Sequence, residues 1–458
     1  MDSEAQVAVV GAGLAGSEAA WQLARRGLRV DLYEMRPQRP TEAHRTSWCA
    51  ELVCSNSFKS LALANAHGLL KRELEIQGSL ILEIATAHAV PAGQALAVDR
   101  DAFAHAVTAR LESHPEIRLV RAEVTAVAPL LARHRHVVVA TGPLTAAALA
   151  EDLRARMGTG YLYFHDAIAP VIHAETLDTA IAFKASRYGK GDADYWNCPF
   201  TKDQYLAFVE AVRTADKTPF HDFEDLRPFE GCLPIEVMAE RGPLTLAFGP
   251  MKPVGLADPR TGKRPFAVVQ LRQENRAGTL LGLVGFQTKM TWPEQRRVFR
   301  TIPGLERAEF ERLGSLHRNT FLCAPALLDA DLALKTEPRL SFAGQLTGVE
   351  GYMESTAMGL YAAKRVAARL AGHTLPYPSA RTMTGALVRY LLETPPASFQ
   401  PMNSAFGLLD GLPGGESLGR AERKAALSQR AVAEMTALEN GNREVTALKP
   451  RVTPEIPG

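Results

Sequence analysis

Gly11, Gly13 and Gly16 stand in G-x-G-x-x-G order, and a carboxylate, Glu34, follows eighteen residues after the last of them. Glycines at that spacing permit a tight turn, let the backbone approach a pyrophosphate and allow a helix to pack closely on a strand. An acid at that distance accepts hydrogen bonds from a ribose diol and repels a 2′-phosphate. The implied chemistry is dinucleotide binding. A second kind of chemistry belongs to thiols. Cys54 sits among Ser55, Asn56 and Ser57 with Lys59 nearby, a setting in which a thiolate is hydrogen-bonded and electrostatically favoured. The competing reading is a buried cysteine acting as a small hydrophobe. Cys232 stands between Gly231 and Leu233-Pro234, on a turn rather than in a regular element, which argues against a purely packing role.

The glycine pattern gains its meaning from the elements around it. Val7 to Val10 is a run of small and β-branched residues suited to a strand buried on both faces of a parallel sheet. Ala19, Leu23 and Ala24 recur at helical spacing, Gly27 ends the helix, Leu28 to Tyr33 reads as a second strand, and Glu34 closes a βαβ unit. His136 to Ala140 is a further buried strand ending in Thr141-Gly142, and this A-T-G end resembles that of FAD-binding domains, where the chain passes close to the cofactor. Far down the chain Leu340 to Gly344 reads as a strand ending in glycine. Gln345, Thr347, Gly348, Glu350 and Gly351 then lead into a long helix from about Tyr352 to Ala371. This late return favours FAD over NAD, because a simple NAD site has no use for it. The predicted fold class is α/β: an FAD-binding Rossmann-like domain of the two-dinucleotide-binding flavoprotein type, carrying an inserted α+β substrate domain.

Between these landmarks Leu69 to Ile84 reads as one amphipathic helix, and Asp99 caps a helix from about Ala102 to Leu111. Ile117 to Ala122 and Glu123 to Ala128 alternate as strands do, and Leu144 to Met157 is helical. From residue 158 to 325 aromatics, prolines and glycine-proline turns become frequent, which predicts an inserted substrate domain or, alternatively, a β-rich packing or oligomerisation lobe. The expected organisation is a first FAD-binding part over 1–157, the insertion over 158–325, a return segment over 326–375 and a C-terminal helical extension over 376–458. Basic clusters accompany the insertion: Lys184, Arg187 and Lys190; Lys252; Lys263 and Arg264; Arg296, Arg297 and Arg300. Each alone is weak evidence of phosphate contact, since charge runs are usually solvated faces.

Composition bounds the rest. In 458 residues a hydrophobic content of 46% and a charged content of 22% fit a soluble globular chain with a large core. The net charge of +2 supplies no global case for nucleic acid. No apolar run reaches membrane-spanning length and the N-terminus lacks a signal-peptide layout, so the expectation is a cytoplasmic protein. Five cysteines, an odd number without a C-x-x-C pair, argue against a disulfide framework and a zinc knuckle.

Long blocks carry a resemblance over nearly the whole chain: GAGLAGSEAAWQLA, Tyr33-Glu34-Met35-Arg36-Pro37, AELVCSNSFKS, FEGCLPIEVMAERG, GPMKPVGL, GFQTKMTWPEQRRVF, HRNTFL and AGQLTGVEGYMESTAMGL. With them the sequence resembles the folate- and FAD-dependent tRNA (uracil-5-)-methyltransferases, the TrmFO family, relatives of the larger flavoproteins that modify wobble uridines. The resemblance implies transfer of a methylene group from methylenetetrahydrofolate to the T-loop uridine of tRNA, with reduced FAD as hydride donor and NAD(P)H as reductant. It implies FAD contacts at Gly11, Ala12, Gly13, Leu14, Ala15, Gly16, Glu34, Val124, Thr141, Gly142, Gly344, Gln345, Gly351 and Tyr352. His317, with Trp292 or Tyr352, is expected to complete a stack on the folate's pterin, and Lys289 and Arg318 to meet its acidic tail. Cys232 is assigned the attack on carbon-6 of uracil and Cys54 the removal of the carbon-5 proton. The implied partners are tRNA, folate and a pyridine nucleotide, with no membrane, metal or protein partner. An FAD/NAD(P)H oxidoreductase with redox-active thiols is the alternative from another class. The missing C-x-x-C and the lack of a second G-x-G-x-x-G speak against it. A non-catalytic tRNA-binding flavoprotein is a third.

Overall fold

The computed structural model describes residues 5–41, 43–158, 161–167, 169–189, 192–218, 233–314 and 316–447. Its centre is Val7–Val10, a strand with all four residues buried. On one side it pairs in parallel with Val30–Glu34 (Val7 opposite Val30), which pairs with Ile117–Arg121. On the other side it pairs in parallel with His136–Val139, which pairs with Glu337–Phe342. A short strand, Ala333–Leu334, closes that edge in antiparallel fashion. β-Branched residues dominate the central strands because both faces are covered, by the helix Leu14–Ala24 among others.

The chain order reverses at the first strand, with the second strand to one side and His136–Val139 to the other. In open α/β sheets such a switch point leaves a crevice outside the carboxyl ends of the strands.

A second six-stranded sheet, antiparallel, has the order Phe183–Lys184, Tyr195–Phe200, Ala267–Gln273, Leu280–Leu283, Val171–His173, Phe310–Arg312. It carries its own core, in which Cys198, Phe200, Phe208, Phe286 and Phe299 are buried. The helix Lys202–Thr214, opened by a Thr201–Gln204 capping box, packs there through Tyr205, Phe208, Val209 and Val212. A two-stranded antiparallel ribbon, Tyr161–Ala167 with Leu316–Leu322, stands at the two chain crossings between the sheets. At the C-terminal side Met383–Glu393 and Arg420–Ala447 are helices. A buried pair, Lys364 Nζ to Glu439 Oε1 at 2.5 Å, ties the latter to the helix Tyr352–Leu370.

Two expectations are corrected. Leu69 to Ile84 is two helices, Ala66–Ile76 and Leu80–Ala87. Gly78 at φ +72° breaks the first, and the Ser79 hydroxyl caps the second by accepting from the Leu82 N–H. Glu123 to Ala128 forms no strand, because the parallel ladder ends at Arg121 opposite Glu34. Among the described residues no helix is long and apolar enough to cross a membrane.

Candidate functional site

The crevice at the switch point is lined by Val10, Gly11, Gly13, Glu34, Val124 and Thr141, with others. The three glycines of the turn do different work. Gly11 has φ +95°, and a Cβ there would lie 2.8 Å from the Ala140 carbonyl oxygen, so the Thr141-Gly142 end of the neighbouring strand crowds the turn. A Cβ on Gly16 would lie 1.8 Å from the Gly11 carbonyl oxygen. Gly13, by contrast, faces open space, with nothing within 4 Å of where a Cβ would stand. It is also the N-cap of Leu14–Ala24, which no side chain caps. An open cradle at an uncapped helix N-terminus fits a pyrophosphate.

Glu34 sits on the rim of that cradle. Its Oε2 accepts the Ala12 N–H at 3.2 Å, and its Oε1 accepts from the N–H and Nε of Arg36 at 3.1 and 2.8 Å. Arg36 bridges onward to Glu51 Oε2 at 2.9 Å. Burial on its own raises the Glu34 pKa, but the Arg36 hydrogen bond and charge more than offset it and hold the acid below the usual carboxylate range. An ionised acid at the end of this strand fits a ribose diol.

The return segment reaches the same helix. A Cβ on Gly344 (φ +74°) would meet Ala15 Cβ at 2.6 Å, and one on Gly359 would meet the Ala15 carbonyl oxygen at 2.2 Å. Small residues therefore let Tyr352–Leu370 pack directly on Leu14–Ala24. Gly351 at φ +117° begins the longer helix, and Gln345 donates to Glu350 Oε2 at 2.6 Å. In its first turn Glu354 meets His67 Nδ1 at 3.1 Å and accepts from the Ser404 hydroxyl at 2.6 Å and N–H at 3.0 Å. Burial would raise its pKa, but His67 and the charge of Lys59 bring it down to about 2.

Cys54 lies on a loop that joins these two ends. The Ala50 N–H bonds the Ala12 carbonyl at 2.8 Å, and the N–H groups of Cys54 and Ser55 both bond the Tyr352 hydroxyl. Of the four non-glycine residues with positive φ among the described residues, Ala50 (+53°) and Lys59 (+64°) bracket this loop. Such strain persists only where surroundings over-determine the backbone. Here they do. Arg100 donates to the Leu52 carbonyl at 2.6 Å and the Cys54 carbonyl at 3.1 Å, and Arg312 donates to the Val53 and Cys54 carbonyls at 2.9 Å each. Asn56 donates to the carbonyls of Val98, on the short strand Ala95–Val98, and of Gln273, on the antiparallel sheet's strand Ala267–Gln273. The Cys54 side chain is half-buried.

Cys49, Cys198 and Cys323 are buried. Burial pushes the Cys49 thiol up to about 11 and Cys198 higher still. Cys232 and Lys190 lie outside the described residues, as do the side chains of His317 and Arg318. His317 is on the Leu316–Leu322 strand, opposite Asp166. Trp292 is 61% exposed at the start of the helix Trp292–Phe299, whereas the Tyr352 ring packs on Phe58 with centroids 5.5 Å apart. In the basic clusters Arg187 bonds Gln270 and the Val254 carbonyl, Arg297 bonds Glu294, and Arg300 bonds the Ala308 carbonyl.

The sequence reading missed Arg36, Arg100, Arg312 and Glu274 as parts of this arrangement. Only Arg36, next to Glu34, stood in a motif that drew attention to it. Buried and surface arginines look alike in a single sequence.

A family model described as "Glucose inhibited division protein A" matches residues 6–374. A protein of Geobacter sulfurreducens is 56% identical over 430 residues, which is 94% of this chain and 98% of the relative. One of Syntrophotalea carbinolica is 54% identical over 427 residues, 93% of this chain and 92% of the relative. Both are named methylenetetrahydrofolate--tRNA-(uracil-5-)-methyltransferase TrmFO. Among solved structures, Aquifex aeolicus GidA in its form I crystal aligns with a TM-score of 0.70 at 16% identity, covering 98% of this chain and 77% of that one. Its form II crystal gives 0.67.

Proposed function

The chain belongs to the TrmFO methyltransferases within the GidA family, and from that membership we propose that it methylates carbon-5 of the T-loop uridine of tRNA. Methylenetetrahydrofolate is the carbon donor, and NAD(P)H is the reductant that keeps the bound FAD reduced. The observation that carries this reading is the span of the Cys54 loop, bonded at one end to Ala12 in the glycine turn and at the other to Tyr352 on the return helix. A thiol held between those points stands where the two ends of an FAD site converge. The insertion over 158–325 is read as the substrate and tRNA domain, closed by the return segment 326–375 and followed by the helical extension 376–458.

Carbon-5 of uracil is too poor a nucleophile to attack a methylene donor unaided. The Cys232 thiolate adds to carbon-6, and the enolate so formed makes the bond from carbon-5 to the methylene carbon as the first of that carbon's two bonds to folate nitrogen opens. Cys54 then takes the carbon-5 proton as the bond from the methylene carbon to folate nitrogen breaks, leaving an exocyclic methylene. The hydride that completes the methyl group would come from reduced FAD held in the glycine-turn crevice. Loss of the Cys232 thiolate from carbon-6 restores the ring double bond. Gly11, Gly13, Gly16, Glu34, Thr141 and Gly142 would hold the ADP half, and Gly344, Gln345, Gly351 and Tyr352 the flavin end, with His317 reserved for the pterin.

The test is transfer of label from methylenetetrahydrofolate carrying a radioactive methylene to undermodified tRNA, with and without NAD(P)H. Labelled 5-methyluridine in the T-loop supports the reading. NAD(P)H oxidation without transfer returns the oxidoreductase alternative, and tRNA binding without either returns the non-catalytic one. RNA carrying 5-fluorouridine should form a covalent adduct that Cys232→Ala abolishes.

A further inference from the structure

Two guanidiniums converge on one carbonyl from distant parts of the chain. Arg100 is the first residue of the helix Arg100–Glu112 and Arg312 the last of the strand Phe310–Arg312, and each gives an N–H to the carbonyl of Cys54. Arg272 stands on the same side, donating to the Asn56 side chain at 2.9 Å. One carboxylate answers two of the three. Glu274 receives Arg100 Nε at 2.7 Å and has its other oxygen 3.6 Å from Arg272. Gly282 makes room for it, since a Cβ there would lie 2.2 Å from Glu274 Oε1.

This arrangement is more than a strut requires. A carbonyl is satisfied by a neutral donor, and gathering buried like charges costs free energy. Arg312 bears that cost: among the described residues it makes no ion pair, its buried Nε has no hydrogen-bond partner, and burial together with the Arg100 charge brings its pKa down to about 10. The other groups that act electrostatically on both guanidiniums are Glu274, Tyr352 and Cys54. Glu274 is already spoken for, and burial raises the Tyr352 phenol well above its ordinary value, so it stays neutral. The anion these charges favour is therefore the Cys54 thiolate, and the attraction is mutual.

We infer that Arg100 and Arg312 are positioning residues for the reaction, holding the carbonyls of Leu52, Val53 and Cys54 and concentrating positive charge on the loop that carries the Cys54 thiol, so that this thiol is available as a base. The inference rests on the assignment of Cys54 as the proton acceptor. Neither arginine touches the reacting atoms in this role.

The experiment measures the pH dependence of iodoacetamide alkylation at Cys54 in the FAD-loaded protein, read by mass spectrometry of the Cys54 peptide, with the Cys49 peptide as buried control. In Arg312→Gln the midpoint should rise by about 0.5 to 1 unit, so that alkylation at pH 7 falls about threefold to tenfold, the lower end of what a nearby charge gives at a half-exposed group. Arg312→Lys keeps the charge and should keep most of the reactivity. Arg100→Gln combined with Glu274→Gln removes a balanced pair and serves as the second probe, isolating the loop's bonds from its net charge. An unchanged midpoint in folded, flavin-loaded Arg312→Gln would overturn the inference and leave the arginines as struts. So would an equal rise in Arg312→Lys, which also decides the matter if the Gln variant does not fold. Methylation by Cys54→Ala is measured separately. Activity retained there removes Cys54 from the reaction without touching the alkylation result.

Discussion

The Tyr352 hydroxyl accepts two hydrogen bonds from adjacent backbone N–H groups, Cys54 at 3.0 Å and Ser55 at 3.1 Å. The first residue of the return helix thereby fixes a loop that lies 298 residues earlier in the chain. Tyr352→Phe would leave both donors unanswered in a half-buried place. We expect a loss of about 1–3 kcal/mol in urea unfolding of the holoenzyme, and a larger fall in methylation than in FAD affinity. Equal stability and activity would mean that water replaces the hydroxyl.

Gly13 and Gly16 separate binding from folding. A side chain at Gly13 enters open space, so Gly13→Asp should fold normally and lose FAD, because its carboxylate meets the pyrophosphate. Gly16→Ala drives a Cβ into the Gly11 carbonyl and should lower stability along with FAD content. Flavin absorbance and circular dichroism on both variants check this. A fully flavin-loaded Gly13→Asp protein would move the cofactor elsewhere.

The buried thiols should be spectators. With its thiol pushed up to about 11, Cys49 is ionised at pH 7 in only about one molecule in ten thousand, and Cys198 in fewer. Cys49→Ala and Cys198→Ala are expected to keep methylation while losing about 1–2 kcal/mol of stability through the vacated volume. Loss of turnover in either, at unchanged flavin content, would contradict the assignment of the chemistry to Cys54 and Cys232.

Glu354 sets an acid limit. Its folded pKa of about 2 lies below the ordinary value of 4.5, so its contribution is fully present above pH 4.5 and is lost as pH falls toward 2. That contribution is on the order of 3 kcal/mol. Glu354→Gln should flatten the pH dependence of stability in this window and lower the stability at pH 7. A wild-type acid limb that survives the substitution would assign it to other carboxylates.

On the exposed face of the helix Trp292–Phe299, Arg296 and Arg297 differ. Arg297 is forked onto Glu294, whereas Arg296 is exposed beside it. If this face meets tRNA phosphates, Arg296→Ala should reduce the salt slope of tRNA binding by about 1 and Arg297→Ala by less. An unchanged slope in the double variant would put the RNA on another surface.

What the sequence determined by itself is local. Strand, glycine turn, helix and second strand are contiguous from Val7 to Glu34, so the residue types that make the turn also announce the elements around it. The same holds for Asp99, whose side chain accepts the Ala102 N–H at the start of its helix. Locality also explains the misreading at Leu69 to Ile84, where an unbroken apolar periodicity hid the stop at Gly78-Ser79. The surroundings of Cys54 were beyond such reading. Small polar neighbours marked it as a candidate thiol, but its loop is held by Arg100, Arg312 and Tyr352 through hydrogen bonds spanning 46, 258 and 298 residues. Whether an arginine spends its charge on solvent or on a buried carbonyl depends on which chain segments are packed around it. That packing is set only when the helix of Arg100, the strand of Arg312 and the return helix of Tyr352 close on the same loop, so the tertiary structure decided it.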